Sequence, residues 1–242
     1  MAENVKPYKE RTDNKKKQVA DMFDNIAHKY DFLNHLLSLG IDKGWRKKAI
    51  KMVSQYKPKQ ILDLATGTGD FAFVAMRLKP EHIEAADISE GMLEVGRQKN
   101  EKRGFGNIID FVYGDSENLQ YPDQHFDLVT IGFGVRNFEN LKQGLTEMRR
   151  VIKEDGHVCI IEFSKPRSFP MKQLFAFYSK YILPLIGRLF SKDKAAYTYL
   201  PESSRAFPDG EDFIKILDDI GYSETFEKRL TGGIATIYLA KR

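Results

Sequence analysis

At 242 residues, the chain is long enough to bury a full hydrophobic core and corresponds to one domain, or to one domain with an insertion. Its 42% hydrophobic and 30% charged residues are typical of a globular protein that is soluble in water, and no apolar run is long enough to span a bilayer. The net charge of +4 is modest, and the single cysteine, Cys159, excludes a disulfide framework. The five histidines show no spacing typical of metal ligands, so no metal is expected.

The first quarter of the chain is predicted to be mostly helical. Hydrophobic residues recur at helical spacing over Lys15–His28, and a second helix over Asp42–Tyr56 would end before Pro58. Between them, Tyr30–Gly40 combines dense apolar residues with interleaved polar ones. Residues 1–57 are therefore predicted to be a helical N-terminal extension. The polar start of the chain shows no apolar signal segment, which favours a cytoplasmic protein.

A glycine-rich turn follows the first predicted strand. Ile61–Asp70 reads Ile-Leu-Asp-Leu-Ala-Thr-Gly-Thr-Gly-Asp, an apolar run, a tight turn and the start of a helix. Gly67 and Gly69 let the backbone turn sharply and approach a ligand closely. Their spacing to Ala72 also fits dinucleotide-binding proteins, so the turn alone leaves an NAD-dependent dehydrogenase open.

Acidic side chains lie at the ends of three successive predicted strands. Asp63 belongs to the first strand, Asp87 closes the apolar stretch Ile83–Ile88, and Asp115 with Ser116 follows Ile108–Tyr113. In parallel sheets these ends meet at one edge, where a carboxylate can accept hydrogen bonds from the two hydroxyls of a ribose. Three acids beside a glycine-rich turn favour a nucleoside-binding site over three unrelated turn residues.

The rest of the chain continues the alternation of helices and strands typical of a parallel sheet. Four further strands are predicted, at Phe126–Ile131, Val158–Phe163, Tyr222–Arg229 and Ile234–Lys241. Three helices are predicted as well, at Ser89–Arg103, Phe138–Ile152 and Asp209–Ile220. The last two strands flank Thr231-Gly232-Gly233, a hairpin signal. Residues 58–242 are thus predicted to form an α/β domain with seven strands.

Residues 165–200 interrupt this alternation and are called the insert below. Apolar and aromatic residues recur there at helical spacing from Leu174 to Leu189, and Pro184 should divide the helix. Lys165–Lys194 holds seven Lys or Arg against one Asp, which gives it a charge of +6, together with six Phe or Tyr. A basic, aromatic-rich amphipathic segment is typical of proteins that touch membrane surfaces, although a cap packed on the domain would look similar.

Four blocks of the sequence resemble one family, the UbiE/MenG/COQ5 C-methyltransferases of quinone biosynthesis. The blocks are Tyr30-Asp31-Phe32-Leu33-Asn34 with Ser38 and Trp45, Asp63–Asp70, Ile131–Asn137, and Arg150–Lys153 through Gly156 to Glu162-Phe163-Ser164. The resemblance covers residues 18–240. It implies the class I methyltransferase fold, a Rossmann-like, seven-stranded, mostly parallel sheet with an antiparallel C-terminal hairpin.

The sequence departs from the family pattern at several positions. Leu33 stands where Met is usual, Asp42 where His is usual, and Glu154-Asp155 where Pro-Gly is usual. Gly132 occupies a position that is often Ser in relatives of the ubiquinone pathway.

The resemblance implies that S-adenosylmethionine is the cofactor. Gly67, Thr68 and Gly69 would then approach its amino acid end, and Asp63 could balance the ammonium group. Asp87 would accept the ribose hydroxyls, and Asp115 with Ser116 would meet the adenine edge.

The family's acceptor is a polyprenyl hydroquinone, whose ring carbon attacks the methyl group. A phenol titrates near pH ~10, so a residue that stabilises the oxyanion would help the reaction. Arg136 is the first choice for that role, with Asn137 beside it; the alternative is that Arg136 pairs with a surface acid. Tyr30 and Asp31 would close over the acceptor together with Asn34 and His35, although for His35 alone a core histidine with its hydrogen bonds satisfied is the favoured interpretation.

Several alternatives remain open at this point. A nucleic-acid methyltransferase would use the basic insert for phosphates, but the loop Gly132–Asn137 lacks the Asn/Asp-Pro-Pro-aromatic pattern for base amines, so no nucleic acid is expected. A non-enzymatic nucleotide-binding module would not need Tyr30–Ser38 or the insert. Demethylmenaquinol is favoured over the benzoquinol precursor of ubiquinone. The sequence leaves open the prenyl length, the general base, transient contact with the inner face of the membrane, and whether the protein is a homodimer.

Overall fold

The first predicted strand lies inside a seven-stranded sheet, third from one edge. This arrangement is seen in a computed structural model, which describes residues 5–182 and 194–242. The strands are β1 Gln60–Leu64, β2 His82–Asp87, β3 Ile109–Tyr113, β4 Phe126–Gly132, β5 Ile152–Phe163, β6 Ser223–Leu230 and β7 Ala235–Lys241. Their order across the sheet is β3-β2-β1-β4-β5-β7-β6.

The pairing confirms the predicted fold class. The first five strands are mutually parallel, whereas β7 runs antiparallel to β5 and to β6. The predicted C-terminal hairpin is therefore present, and its turn at Thr231–Gly233 contains positive φ angles at Gly232 (65°) and Gly233 (96°).

Helices cover both faces of the sheet. They are α1 Lys15–Leu37, α2 Ile41–Val53, α3 Asp70–Ala75, α4 Glu90–Arg103, α5 Leu141–Val151, α6 Met171–Phe177, α7 Lys194–Ala206 and α8 Glu211–Ile220. Short helical turns occupy Ser54–Tyr56, Met76–Leu78, Val135–Asn137 and Tyr178–Ile182. Within the described ranges, none of the helices combines the length and the apolar character that crossing a membrane requires.

The first helix is longer than the sequence predicts. It continues past His28 through the mixed polar and apolar stretch and ends only at Leu37. Leu39 and Gly40 then adopt left-handed backbone angles, with φ of 52° and 73°, and the chain turns into α2. This turn ends the first helix, because the left-handed conformation does not continue a right-handed helix.

The predicted boundary between α5 and β5 is also displaced. The helix ends at Val151, and β5 starts at Ile152 instead of Val158. Its pairing with β4 shifts register between Phe126 and Leu128, which marks a bulge. Gly156 lies at this bulge, where a Cβ atom would stand 2.9 Å from the carbonyl oxygen of Asp127.

The core is divided by the sheet into two layers, as alternation along a strand requires. Ile61 belongs to one layer and Leu62 to the other. The buried side of α2 belongs to the first layer, where its residues pack with Cys159: Trp45, Ala49, Ile50 and Val53. The helical extension thus shares a core with the sheet, and the boundary predicted after residue 57 falls in the connection between α2 and β1.

The insert is described in two parts. Its first part is α6 with the turn Tyr178–Ile182, and its second part begins with α7. The later half of the predicted apolar stripe, Pro184 and Gly187 lie outside the described residues.

Replacing Gly156 with alanine tests the bulge in β5. We expect Gly156→Ala to lower the free energy of unfolding by about 1–3 kcal/mol, because the added methyl group meets the backbone of Asp127, which cannot rotate away. Gly106→Ala is the matched control: nothing lies within 4 Å of the position that its methyl group would occupy, so its effect should stay within about 0.5 kcal/mol. Urea unfolding of both variants measures the difference, and equal midpoints would contradict the steric argument.

Candidate active site

The turn between β1 and α3 has a backbone that suits glycine at two positions. Gly67 and Gly69 have φ angles of 58° and 86°. A Cβ atom on Gly69 would lie 2.5 Å from a ring carbon of Phe111, so this position has no room for a side chain. The amide of Gly69 donates to the carbonyl of Thr66 at 3.0 Å, which closes the turn. The predicted sharp turn is therefore present, and its contact with a cofactor stays a prediction.

Asp63 is a fully buried carboxylate at the base of this turn. Its oxygens accept hydrogen bonds from the Thr66 hydroxyl at 2.5 Å, the Thr130 hydroxyl at 2.6 Å and the backbone amide of Ala72 at 3.1 Å. Burial raises the pKa of Asp63 to about 6, and the hydrogen bonds oppose that rise. The side chain therefore ties the turn to β1, β4 and α3.

Asp87 occupies the equivalent place at the end of β2. Its two oxygens accept from the backbone amides of Gly67 at 2.8 Å and Ser89 at 2.9 Å. Burial raises its pKa to about 6. Each oxygen uses one of its two lone pairs in these bonds, so the carboxylate can still accept from two ligand hydroxyls.

Asp115 and Ser116 lie after β3, as predicted. The ammonium group of Lys16, on α1, contacts the carboxylates of Asp115 at 2.7 Å and Glu117 at 3.4 Å. The N-terminal helix therefore reaches the end of the sheet where an adenine ring is expected.

These strand ends border a cleft of about 660 Å³. Six predicted site residues line it: Tyr30, Gly67, Asp87, Asp115, Ser116 and Asn137. An adjoining cavity of about 350 Å³ is lined by Tyr30 and Gly67 again and also by Asp63 and Thr68. Three other predicted residues, Asp31, Gly69 and Arg136, are outside the linings of these two cavities.

The first helix lies across the cleft and is held by acidic side chains. Asp24 accepts from the Ser89 hydroxyl at 2.6 Å and the Gly91 amide at 2.9 Å, both at the start of α4. Further along α1, Asp31 accepts from the hydroxyl of Thr68 in the glycine-rich turn. Asp31 thus touches a predicted cofactor residue instead of an open acceptor pocket.

Lys99 completes this contact from α4. Its ammonium group lies 2.7 Å from Asp31, 2.8 Å from Asp70 and 3.0 Å from the hydroxyl of Thr68. The cation balances two carboxylates and fixes α1 to the turn.

Arg136 is buried with an acidic partner. Its side chain is 4% exposed and that of Glu162, on β5, is 0% exposed. One terminal nitrogen of Arg136 lies 2.6 Å from Glu162 Oε1 and 2.5 Å from the carbonyl oxygen of Phe133. Its Nε is buried and has no hydrogen-bond partner among the described residues. The alternative to a catalytic role is that Arg136 pairs with a surface acid. It does pair with an acid, but that acid, Glu162, lies in the core.

Asn137 lies on the cleft side of the same turn. It lines the larger cavity, and its Oδ1 accepts a hydrogen bond from the hydroxyl of Tyr199 at 3.0 Å. The side chain of His35, which the sequence also places near the acceptor, lies outside the described part of the structure.

Arg46 lines the smaller cavity beside Asp63. It pairs with Asp42, which is buried and also accepts from the Ser38 hydroxyl at 2.6 Å. Asp42 replaces the usual His of the family, and here it holds a cation at the cavity wall.

Sequence reasoning missed several of these residues, among them Arg46, Glu162, Lys99 and Tyr199. Arg46 directly follows Trp45 of the first family block, and Glu162 opens the last part of the fourth block. The family resemblance could therefore have indicated both residues. Lys99 and Tyr199 had none, because they belong to amphipathic helices in which a single polar side chain carries no pattern.

The sheet order, the antiparallel hairpin and the cleft at the carboxyl ends of β1 to β4 define the class I methyltransferase fold. Solved structures share it at low identity. A SAM-dependent methyltransferase from Thermotoga maritima is 18% identical, with a TM-score of 0.62 over 91% of this chain and 98% of that one. Another from Aquifex aeolicus is 17% identical, with a TM-score of 0.56 over 79% and 88%.

The chain belongs to the ubiE/COQ5 methyltransferase family, whose model matches residues 11–242. A Bacteroides fragilis protein named demethylmenaquinone methyltransferase is 50% identical over 99% of this chain and 98% of its own length. A Porphyromonas gingivalis protein of the same name is 42% identical over 98% and 97%. A Geobacter sulfurreducens protein named ubiquinone/menaquinone biosynthesis C-methyltransferase UbiE is 42% identical over 96% and 91%. The protein is accordingly a methyltransferase, and S-adenosylmethionine is its methyl donor.

Replacing Asp87 tests the ribose contact. We expect Asp87→Ala to weaken S-adenosylmethionine binding by about 1.5–3 kcal/mol for each lost hydrogen bond to the carboxylate. Because the pKa of Asp87 is about 6, binding by the native protein should also weaken as the pH falls from 7 to 5 and the carboxylate is protonated. Asp87→Asn should show a smaller decline over that range.

Isothermal titration at several pH values measures both effects. Circular dichroism of the variants controls for folding. A folded Asp87→Ala protein that binds the donor as tightly as the native protein would exclude the ribose role.

Proposed function

We propose that this protein methylates a ring carbon of a polyprenyl hydroquinone, with demethylmenaquinol as its substrate. The names of the Bacteroides and Porphyromonas relatives support this choice. The benzoquinol precursor of ubiquinone, 2-polyprenyl-6-methoxy-1,4-benzoquinol, is the second candidate, because the Geobacter relative carries a name that covers both pathways.

The assignment of a phenolic acceptor rests on one observation. The Nε of Arg136 is buried without a partner in the described structure, next to Asn137, which lines the cleft. A buried donor of this kind normally has an acceptor. A hydroquinone oxygen that gains negative charge during the reaction would satisfy it and would be stabilised by the guanidinium charge.

The side chain of Tyr30 supports this electrostatic argument. Tyr30 lines both cavities and is itself a phenol. Burial raises its pKa, and the positive charges of Arg136 and Arg46 oppose that rise. A substrate phenol in the same cleft would experience the same cations, which lower the cost of forming its oxyanion.

The residues of the two cavities fit S-adenosylmethionine. Its sulfonium supplies the electrophilic methyl group when it is bound. Asp87 would accept from the ribose hydroxyls, and Asp115 and Ser116 would meet the adenine. In the smaller cavity, Asp63 and Arg46 offer opposite charges for the ammonium and the carboxylate of the amino acid end, beside Gly67, Thr68 and Gly69.

The chain's own groups would then direct the transfer. Arg136 and Asn137 hold the hydroquinone oxygen and its developing charge, so that electron density increases on the ring carbon that forms the new bond. Tyr30 and the helix that carries it exclude water from the cleft, which strengthens these electrostatic contacts. As the ring carbon bonds the methyl group, the methyl–sulfur bond would break, with its electron pair left on the sulfur of S-adenosylhomocysteine. The proton of that ring carbon would then be released to solvent.

A methyl-transfer assay with both quinols side by side tests the proposed function. We expect faster methylation of reduced demethylmenaquinone than of the benzoquinol, and no methylation of either oxidised quinone, since a quinone has no phenol to ionise. Arg136→Lys keeps the charge beside Glu162 but removes the Nε donor, so kcat should fall about 10²–10³-fold with an unchanged Kd for the donor.

Thermal unfolding of Arg136→Lys is the control for stability. A variant with native kcat and a lowered Tm would make Arg136 structural. Methylation of neither quinol by the native protein would overturn the substrate assignment.

We further propose that the insert brings the protein to the inner face of the membrane, where a polyprenyl quinol resides. Four of its aromatic or aliphatic side chains are more than half exposed: Phe169, Leu174, Phe177 and Tyr181. Lys165, Arg167 and Lys172 are exposed on the same segment. Apolar side chains next to cations are what the headgroup region of an anionic bilayer accommodates.

Sedimentation with liposomes tests this membrane contact. The native protein should bind vesicles that contain phosphatidylglycerol, and added salt should weaken the binding, because each basic residue near the surface contributes about 1 kcal/mol that screening removes. The double variant Phe169→Ser/Phe177→Ser should lose binding. Phe226→Ser, on edge strand β6, is the matched control and should bind as the native protein does. Equal sedimentation of the double variant and the native protein would contradict the proposal.

A further inference from the structure

In the described part of the insert, the hydroxyl of Tyr199 reaches the turn Val135–Asn137. Tyr199, on α7, is 1% exposed and packs in a hydrophobic cluster with Val19 and Met22 of α1 and Met92 of α4. Its ring therefore fills space in the core, as a phenylalanine could. Its hydroxyl, which phenylalanine lacks, donates a hydrogen bond to Oδ1 of Asn137 at 3.0 Å.

This bond engages the oxygen end of the Asn137 amide. An amide group has an oxygen that accepts and a nitrogen that donates two hydrogens. With one lone pair of the oxygen held by Tyr199, the NH₂ group is the end that has both of its hydrogens to offer a ligand in the cavity that Asn137 lines. A donor at that place suits an oxygen that becomes negatively charged, whereas the amide oxygen would repel it.

We propose that Tyr199 is a positioning residue that fixes the amide of Asn137 with its NH₂ group toward the acceptor oxygen. The proposal deepens the function given above and rests on Asn137 acting on the acceptor. The hydroxyl is suited to the task, since burial raises the pKa of the Tyr199 phenol and keeps the proton on the donor. Through this bond, the insert that carries Tyr199 is connected to the reacting groups.

A double-mutant cycle tests the proposal. Tyr199→Phe keeps the ring and removes only the donor, so we expect kcat for demethylmenaquinol to fall about tenfold with the donor Kd unchanged. Asn137→Ala should lower kcat at least as much. If Tyr199 acts through Asn137, the double variant should be no slower than Asn137→Ala alone.

Tyr222→Phe is the matched control. Tyr222 is also buried, and its hydroxyl donates to a backbone carbonyl, that of Leu145, at 3.0 Å in a separate hydrophobic cluster. Removing the Tyr222 hydroxyl should lower the free energy of unfolding about as much as removing the Tyr199 hydroxyl does, and it should leave kcat unchanged. The comparison separates a loss of stability from a loss of positioning.

The outcomes distinguish this proposal from the proposed function. Normal kcat for Tyr199→Phe with reduced kcat for Asn137→Ala would overturn the positioning role and leave the role of Asn137 intact. Multiplicative losses in the double variant would overturn it too, because the two residues would then act independently. Normal kcat for Asn137→Ala would exclude Asn137 from the reaction and overturn both proposals.

Discussion

The active site depends on one buried carboxylate. Asp63 joins the glycine-rich turn to two neighbouring strands and a helix, through Thr66, Thr130 and the amide of Ala72. A buried charge is costly, and the rise of its pKa to about 6 expresses that cost. The cost is tolerable because three donors surround the carboxylate. In return the turn has one conformation, so the backbone around Gly67 and Gly69 is preorganised for a ligand.

The N-terminal helix is the second element on which the site depends. Lys16, Asp24 and Asp31 are eight and seven residues apart, close to two helical turns each, so they share one side of α1. They contact, in order, the segments that follow β3, β2 and β1. Because the sheet order is β3-β2-β1, the helix crosses the strand ends in the order of the sheet. The residues that would hold the methyl donor are thus also the residues on which α1 rests.

The turn after β4 is supported from two sides. Glu162 of β5 pairs with Arg136 inside the core, and Tyr199 of α7 binds Asn137 at the edge of the cleft. Removing one partner of a buried ion pair leaves an uncompensated charge and strongly destabilises the protein. The pair of Arg136 and Glu162 therefore holds the turn in its place. Two adjacent residues are therefore held by elements that are distant in sequence, and one of them, Asn137, lines the cleft.

The sequence by itself determined the order and type of most elements, because strands, turns and hairpins depend on neighbouring residues. Apolar runs located all seven strands, and the acids at the ends of β1, β2 and β3 identified the edge that forms the cleft. Local patterns were less decisive for α1, which continues through mixed residues, where Asp31 finds partners in the glycine-rich turn and on α4. They also misplaced the start of β5, which is set by the bulge at Gly156.

Only the tertiary structure decided which side chains meet. Arg136 and Glu162 are 26 residues apart, Tyr199 and Asn137 are 62 apart, and Asp31 and Lys99 are 68 apart. Nothing in the spacing of either partner indicates such pairs, since each side chain looks like an ordinary surface charge or a core aromatic in its own helix or strand. The fold brings them together by packing, and burial then makes their hydrogen bonds and charges decisive, because water no longer competes for them.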